Sequence, residues 1–143
     1  QYQQAIDYYQ QALTIYQEIG DREGESHALN YLGTAYNCLG QNQQAIDYHQ
    51  QALTIYQEIG NRRGEGNVLV YLGVVYLQLG QYQQAIDYYQ QGLTILREIG
   101  DREGEGNALV NLGIAYGSVQ YQQAIDYYQQ ALTIYQEIGD REG

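Results

Sequence analysis

One 24-residue segment, QYQQAIDYYQQALTIYQEIGDREG, stands at both ends of the chain and returns twice between them with few changes. A small residue in the same context marks each copy: Ala5, Ala45, Ala85 and Ala124, giving steps of 40, 40 and 39 residues (45 − 5, 85 − 45, 124 − 85). A fixed period of this size restricts the fold to a row of stacked units, each packed only on its neighbours. The 143 residues therefore do not close around one central core. One residue is lost in the last connection, where GSVQYQQ replaces LQLGQYQQ, so that turn is expected to be reshaped, with Val119 joined directly to Gln120.

Within a unit the spacing of apolar residues is helical. Ala45, Ile46, His49, Ala52, Leu53 and Tyr56 recur at intervals of three and four, while Gln43, Gln44, Asp47, Gln50, Gln51 and Gln57 fill the opposite side. Leu29, Leu32, Gly33 and Tyr36 make a second such face, extended by Leu39. Each unit is two amphipathic helices. Gly20, Gly60, Gly100 and Gly139 suit the left-handed position after a helix, and Asp21, Asn61, Asp101 and Asp140 suit the N-cap that follows. The expected map is one array over 1–143: a lone helix at 1–19, helix pairs at 21–59, 61–99 and 101–138, and the start of a further helix at 140–143.

Gly33, Gly73 and Gly113 recur inside the first helix of each pair, and Ala5, Ala45, Ala85 and Ala124 inside the second. Glycine in a helix interior costs up to about 1 kcal/mol relative to alanine, so its recurrence implies close packing, here expected between two backbones. The pattern Leu-x-x-Leu-Gly-x-x-Tyr-x-x-Leu-Gly-Gln-x-x-x-Ala-Ile, from Leu29 to Ile46 and again from Leu69 to Ile86, resembles the tetratricopeptide repeat. The 40-residue spacing and the Ile-Gly-Asp-Arg joint are similar to the longer variant found in Pins/LGN-type scaffolds and in kinesin light chain. The resemblance implies an all-α fold, a right-handed α-α superhelical solenoid of antiparallel helix pairs. The proline usual after the second helix is absent, Gly92 replaces the alanine of Ala12, Ala52 and Ala131, and His49 replaces the tyrosine of Tyr9, Tyr89 and Tyr128.

Six arginines against 17 acidic residues give a net charge of −11, which opposes binding to nucleic acid or to an anionic membrane and favours a neutral or basic partner. The single cysteine, Cys38, forms no internal disulfide, and no apolar run approaches the roughly 20 residues of a membrane span. These features predict a reduced, cytoplasmic protein. All 18 aromatic residues are tyrosine, so the interior combines aliphatic side chains with rings whose hydroxyls need water or a partner.

Catalysis finds little support. Ser26 and His27 are adjacent and point about 100° apart on a helix, and Cys38 lies roughly 16 Å along the helix from His27. Neither is a dyad or a metal site. The carboxylates recur at equivalent places, Asp7, Asp47, Asp87 and Asp126, and Glu18, Glu58, Glu98 and Glu137, whereas an acid–base pair needs surroundings that separate two pKa values. The segments GEGNVLV and GEGNALV lack the third glycine and the strand of a dinucleotide fingerprint. No enzyme activity, cofactor or metal is expected.

What remains is the side of the first helices opposite their core face. In the first pair it carries His27, Asn30, Tyr31 and Thr34, with Asn37 and Cys38 beyond. In the second it carries Asn67, Val70, Tyr71, Val74 and Leu77, and in the third Asn107, Val110, Asn111 and Ile114. The tetratricopeptide resemblance implies that this side lines a concave groove where partners bind. Val70 and Val110 suit packing between neighbouring first helices, and Val74 and Ile114 suit an apolar stripe for a peptide. Asn67 and Asn107 suit hydrogen bonds to a peptide backbone. A basic clamp for a terminal carboxylate is unsupported, because the chain has no lysine and its arginines fall at helix starts or in a second helix.

The expected function is that of a protein–protein interaction scaffold, taking a neutral or basic peptide with apolar anchors in this groove. The alternative is a structural module that self-associates end to end, because Ile6, Tyr9, Leu13 and Tyr16 in the first copy and Ile125, Tyr128, Leu132 and Tyr135 in the last match internal apolar residues. On that view further repeats on both sides would suppress the association in a longer parent chain.

Overall fold

The computed structural model describes residues 1–118 and 120–142. They form seven α-helices: α1 (Tyr2–Ile19), α2 (Arg22–Cys38), α3 (Asn42–Ile59), α4 (Arg62–Gln78), α5 (Tyr82–Glu98), α6 (Arg102–Gly117) and α7 (Tyr121–Glu142). Successive helices pack on one another along the chain, and the backbone of α4 also approaches those of α2 and α6. Among the described residues the backbones of the odd-numbered helices stay farther apart. Long side chains span that distance, as where Gln10 of α1 donates to the Tyr48 hydroxyl of α3 at 2.8 Å. A row that is tighter along α2, α4 and α6 than along α1, α3, α5 and α7 bends toward the even-numbered side. The result is the expected all-α superhelical solenoid.

The joints follow from local chemistry. Gly20, Gly60 and Gly100 adopt φ of 75°, 73° and 73°, a left-handed conformation that only glycine takes without strain. The side chains of Asp21, Asn61 and Asp101 then accept hydrogen bonds from the backbone N–H of Gly24, Gly64 and Gly104 at 2.9, 2.9 and 3.0 Å. Each such cap stabilises its helix by about 1 kcal/mol. The same punctuation fails at Gly139. There α7 runs unbroken to Glu142, so the break expected after Gly139 is not seen among the described residues. The Val119–Gln120 link, on which the reshaped last turn depends, lies outside the described residues.

Buried aliphatic residues join the units. Ile6, Leu13, Leu29, Leu32, Ile55 and Val68 form one core across α1 to α4, and Ile86, Leu93, Leu96, Leu109, Leu112 and Ile134 form another across α5 to α7. Ile55, Ile95 and Ile134 are buried although the helical face read from the sequence omits them, and Leu39 is exposed where it was expected to extend the core. The recurrent glycines of the even helices meet rings, not a backbone. A Cβ at Gly33, Gly73 or Gly113 would lie 2.7, 2.5 or 2.6 Å from the ring of His49, Tyr89 or Tyr128. Gly92 is the position where a backbone does approach: a Cβ there would lie 3.0 Å from the Gly66 carbonyl oxygen. A polar ladder runs beside the core: Arg22, Arg62 and Arg102 each bridge a glutamate of their own helix (Glu25, Glu65, Glu105) to one of the next helix (Glu58, Glu98, Glu137).

Candidate functional site

Along the inner row three depressions lie end to end. The first, about 170 Å³, is lined by Tyr2, Tyr9, Tyr31, Thr34 and Cys38 among others. The second, about 380 Å³, is lined by His27, Asn30, Tyr31, Tyr56, Asn61, Arg63, Asn67 and Tyr71. The third, about 340 Å³, is lined by Asn67, Val70, Tyr71, Val74, Leu96, Asn107, Val110, Asn111 and Tyr135. Tyr31 is common to the first and second, and Tyr71 and Asn67 to the second and third. The three therefore form one track crossing α2, α4 and α6.

Eleven of the thirteen residues expected on this face line the track. Leu77 and Ile114 do not. Leu77 is half-buried against the core of α5 to α7, and Ile114 is 45% exposed beyond the third depression. Val70, Val74 and Val110 line the third depression and also pack against that core, so packing and groove lining are one role for them. Thr34 donates to the Asn30 carbonyl at 3.2 Å, a helix-internal bond that leaves its methyl to the wall.

Polar groups on the track are partly committed. His49 Nδ1–H donates to Asn30 Oδ1 at 2.8 Å, and the ring stacks on Tyr71 with centroids 5.7 Å apart. Burial lowers the His49 imidazole from its ordinary 6.5 to about 4, so it is neutral at physiological pH. His27 Nδ1 and Tyr56 Oη are hydrogen-bonded at 2.8 Å, and Tyr135 O–H donates to Asn107 Oδ1 at 2.6 Å. Burial raises both tyrosine hydroxyls above their usual range, which keeps them as neutral O–H groups. Arg63 in the second depression faces Asp101 at 3.6 Å. Among the described residues no charged side chain lines the third depression.

Tyr56, Leu96 and Tyr135 come from the second helices and were not read as site residues. Their signal was present in the repeat: they occupy equivalent positions (Tyr16, Tyr56, Leu96, Tyr135) near the helix end, where a ring leans over the glycine-rich start of an inner helix. Among the described residues no three His, Cys, Asp or Glu side chains form a metal-ligand set, and no helix is long and apolar enough to cross a membrane.

Bent row and track together define a helical-repeat solenoid with a groove built on its inner helices. A family model described as Tetratricopeptide repeat matches residues 1–58 and 64–137, and the chain belongs to that family. Among solved structures it is similar to BtubC (BKLC) from P. vanneervenii, at 22% identity and a TM-score of 0.87 over 96% of this chain and 58% of that one. It is also similar to a Podosopora anserina protein of kinesin-light-chain type with nearly identical TPR-like repeats, at 21% identity and a TM-score of 0.78 over 96% and 68% of the two chains. A third is the Rap conjugation gene regulator of the plasmid pLS20 in complex with the Phr* peptide, at 19% identity and a TM-score of 0.79 over 92% and 37%. At these identities the likeness establishes the fold alone, and the chain spans little more than half of the first of these structures. Comparison with curated proteins gives no match.

Proposed function

We propose that the chain is a non-catalytic protein-interaction scaffold that holds an extended peptide segment of a partner along α2, α4 and α6. The observation that carries this reading is the continuity of the track: three depressions joined through the exposed rings of Tyr31 and Tyr71. An extended peptide advances roughly 3.3 Å per residue, and its alternate side chains match a row of separate hollows better than one deep pocket would. Amide side chains at Asn67, Asn107 and Asn111 supply both donors and acceptors to a peptide backbone. The pLS20 regulator in complex with a peptide is a parallel within the same fold. Apolar anchors suit the valine-lined third depression, and the −11 charge favours basic flanks.

The test uses peptides selected from a displayed random library against this array. Tyr71→Glu places a charge where the second and third hollows meet, on a ring 41% exposed whose other face stacks on His49. Calorimetry should show binding weakened by about tenfold or more, with the helical circular dichroism unchanged. Unaltered affinity would remove the track from consideration.

A second reading has its own observation. Ile15 on α1 is 54% exposed and Leu132 on α7 is 56% exposed, whereas their counterparts Ile55 and Leu93 are 5% and 6% exposed. These outer faces fit another unit of the same repeat, which supports end-to-end self-association. Sedimentation velocity over a rising concentration series should show growing, open-ended species. A strict monomer throughout would eliminate this reading and leave the groove reading untouched.

A further inference from the structure

The joint between α3 and α4 departs from the others in charge. The chain carries Asp21 and Glu23, Asp101 and Glu103, and Asp140 and Glu142 at equivalent places, but Asn61 and Arg63 at this one. One carboxylate has become an amide and the other a guanidinium. Both altered residues line the second depression, and among the described residues Arg63 is the only arginine that lines any part of the track. It stands at a helix start, as the sequence leads one to expect of the arginines, and the depression lies over that start.

Two amides around this depression have their oxygens committed. Asn30 Oδ1 accepts from His49 at 2.8 Å, and Asn61 Oδ1 accepts from the Gly64 N–H at 2.9 Å. Each amide is thereby oriented, and what it still offers is an NH2 group with two donors. Arg63 approaches Asp101 only through Nε, at 3.6 Å and beyond hydrogen-bond reach, so its two terminal nitrogens are uncommitted among the described residues. Glu23 lies 3.7 Å from His27 Nε2, and neither it nor Asp101 lines the depression. The hollow therefore presents donors around one positive charge with no carboxylate in its wall, whereas the third depression carries no charge.

We infer that the second depression binds an anionic group of the partner peptide, above all a side-chain carboxylate, and that Arg63 is its specificity-determining residue. Arg63 supplies the charge and the paired N–H groups that match two carboxylate oxygens, and the amides of Asn30 and Asn61 supply further donors. A lysine anchor would meet the guanidinium and is rejected. The net charge of −11 does not oppose this choice. Charges farther than about 8 Å apart are largely screened at physiological salt, and an anchor is selected at contact, so basic flanks and one acidic anchor suit the same peptide. The inference rests on the groove reading above and adds the identity of one anchor.

The probes are blocked peptides, acetyl-Gly-Val-Gly-X-Gly-Val-Gly-amide with X as glutamate, glutamine, lysine or phosphoserine, and acetyl-Gly-Val-Gly-Gly with a free terminal carboxylate. Each is titrated into the ¹⁵N-labelled protein while the side-chain amide signals of Asn30, Asn61 and Asn67 are followed. The glutamate peptide should move the Asn30 and Asn61 signals and bind about fivefold or more tighter than the glutamine peptide, the difference made by charge-assisted hydrogen bonds. Arg63 is largely exposed and two other units carry glutamate in its place, so its replacement removes no packing. Arg63→Gln should erase the preference for glutamate, and Arg63→Glu should turn it toward lysine. Arg141→Gln, which removes the same charge from α7, should leave the preference as it is. If the phosphoserine or free-carboxylate peptide binds tighter than the glutamate peptide and loses that advantage in Arg63→Gln, the anion site stands and that group is its source. Equal affinity for glutamate and glutamine, a preference that survives Arg63→Gln, or one that Arg141→Gln erases as fully, refutes the role of Arg63 while the groove reading stands. If no probe moves any groove signal, both fall.

Discussion

His49 shows how one substitution in a repeat acquires physical consequences. Tyr9, Tyr89 and Tyr128 occupy its position elsewhere, and the imidazole that replaces them is 1% exposed, bonded to Asn30 and stacked on Tyr71. Its folded-state pKa of about 4 lies below the unfolded value of 6.5. Between those two values the unfolded chain binds a proton that the folded chain refuses, so stability is complete above pH 6.5 and declines as the pH falls toward 4. The loss by pH 5 amounts to about 2 kcal/mol. Urea melts at pH 7 and pH 5 on the native chain and on His49→Tyr should show the native chain losing about that much more than the variant, which cancels the titration of the many carboxylates common to both. Equal losses would show that His49 does not titrate in this window. The core-face position of His49 is legible from helical spacing. Its bond to Asn30 is not, because two residues 19 apart on different helices share no local pattern. For the same reason Asn30 reads as a free groove residue when its Oδ1 is already taken. The converse holds for Tyr89, whose hydroxyl is buried without a partner among the described residues, where Val70 stands in place of the Asn30 of the preceding unit.

At the scale of the helix, the caps and glycine joints are legible because they are local. An acceptor side chain reaches an N–H three residues away, and a left-handed residue needs no knowledge of the rest of the fold. The exception at Gly139 marks the limit of such reasoning: the sequence GDREG is the same there as at Gly20, yet α7 continues through Gly139 to Glu142. The glycines within α2, α4 and α6 also stand out in the sequence, yet the purpose expected of them was the wrong one. A backbone contact and a ring contact both demand a missing side chain, so the sequence alone does not separate them. Which ring meets which glycine depends on the crossing of two helices, as with Tyr89 on Gly73. The tyrosine-rich composition makes sense at this scale, since stacked pairs Tyr36–Tyr48, Tyr76–Tyr88 and Tyr116–Tyr127 repeat at 5.3 to 5.4 Å between consecutive helices.

At the scale of the whole molecule the period decides the architecture, because each unit needs only its neighbours. The inner face is legible from helical geometry, as the positions opposite the core face of α2, α4 and α6 must line whatever that side presents. The contribution of α3, α5 and α7 is hidden, since Tyr56 and Tyr135 read as apolar face residues and only the packing of α3 on α2 and of α7 on α6 brings their hydroxyls to the track. The central claim is that this inner track, and not the outer helices, receives the partner. Its most direct test is the footprint of a library-selected peptide on the amide signals of the ¹⁵N-labelled array. The account predicts shifts that follow His27, Asn67, Tyr71, Asn107 and Asn111 across three successive inner helices. Shifts confined to the outer surfaces of α1, α3, α5 and α7, with those five residues unmoved, would contradict it.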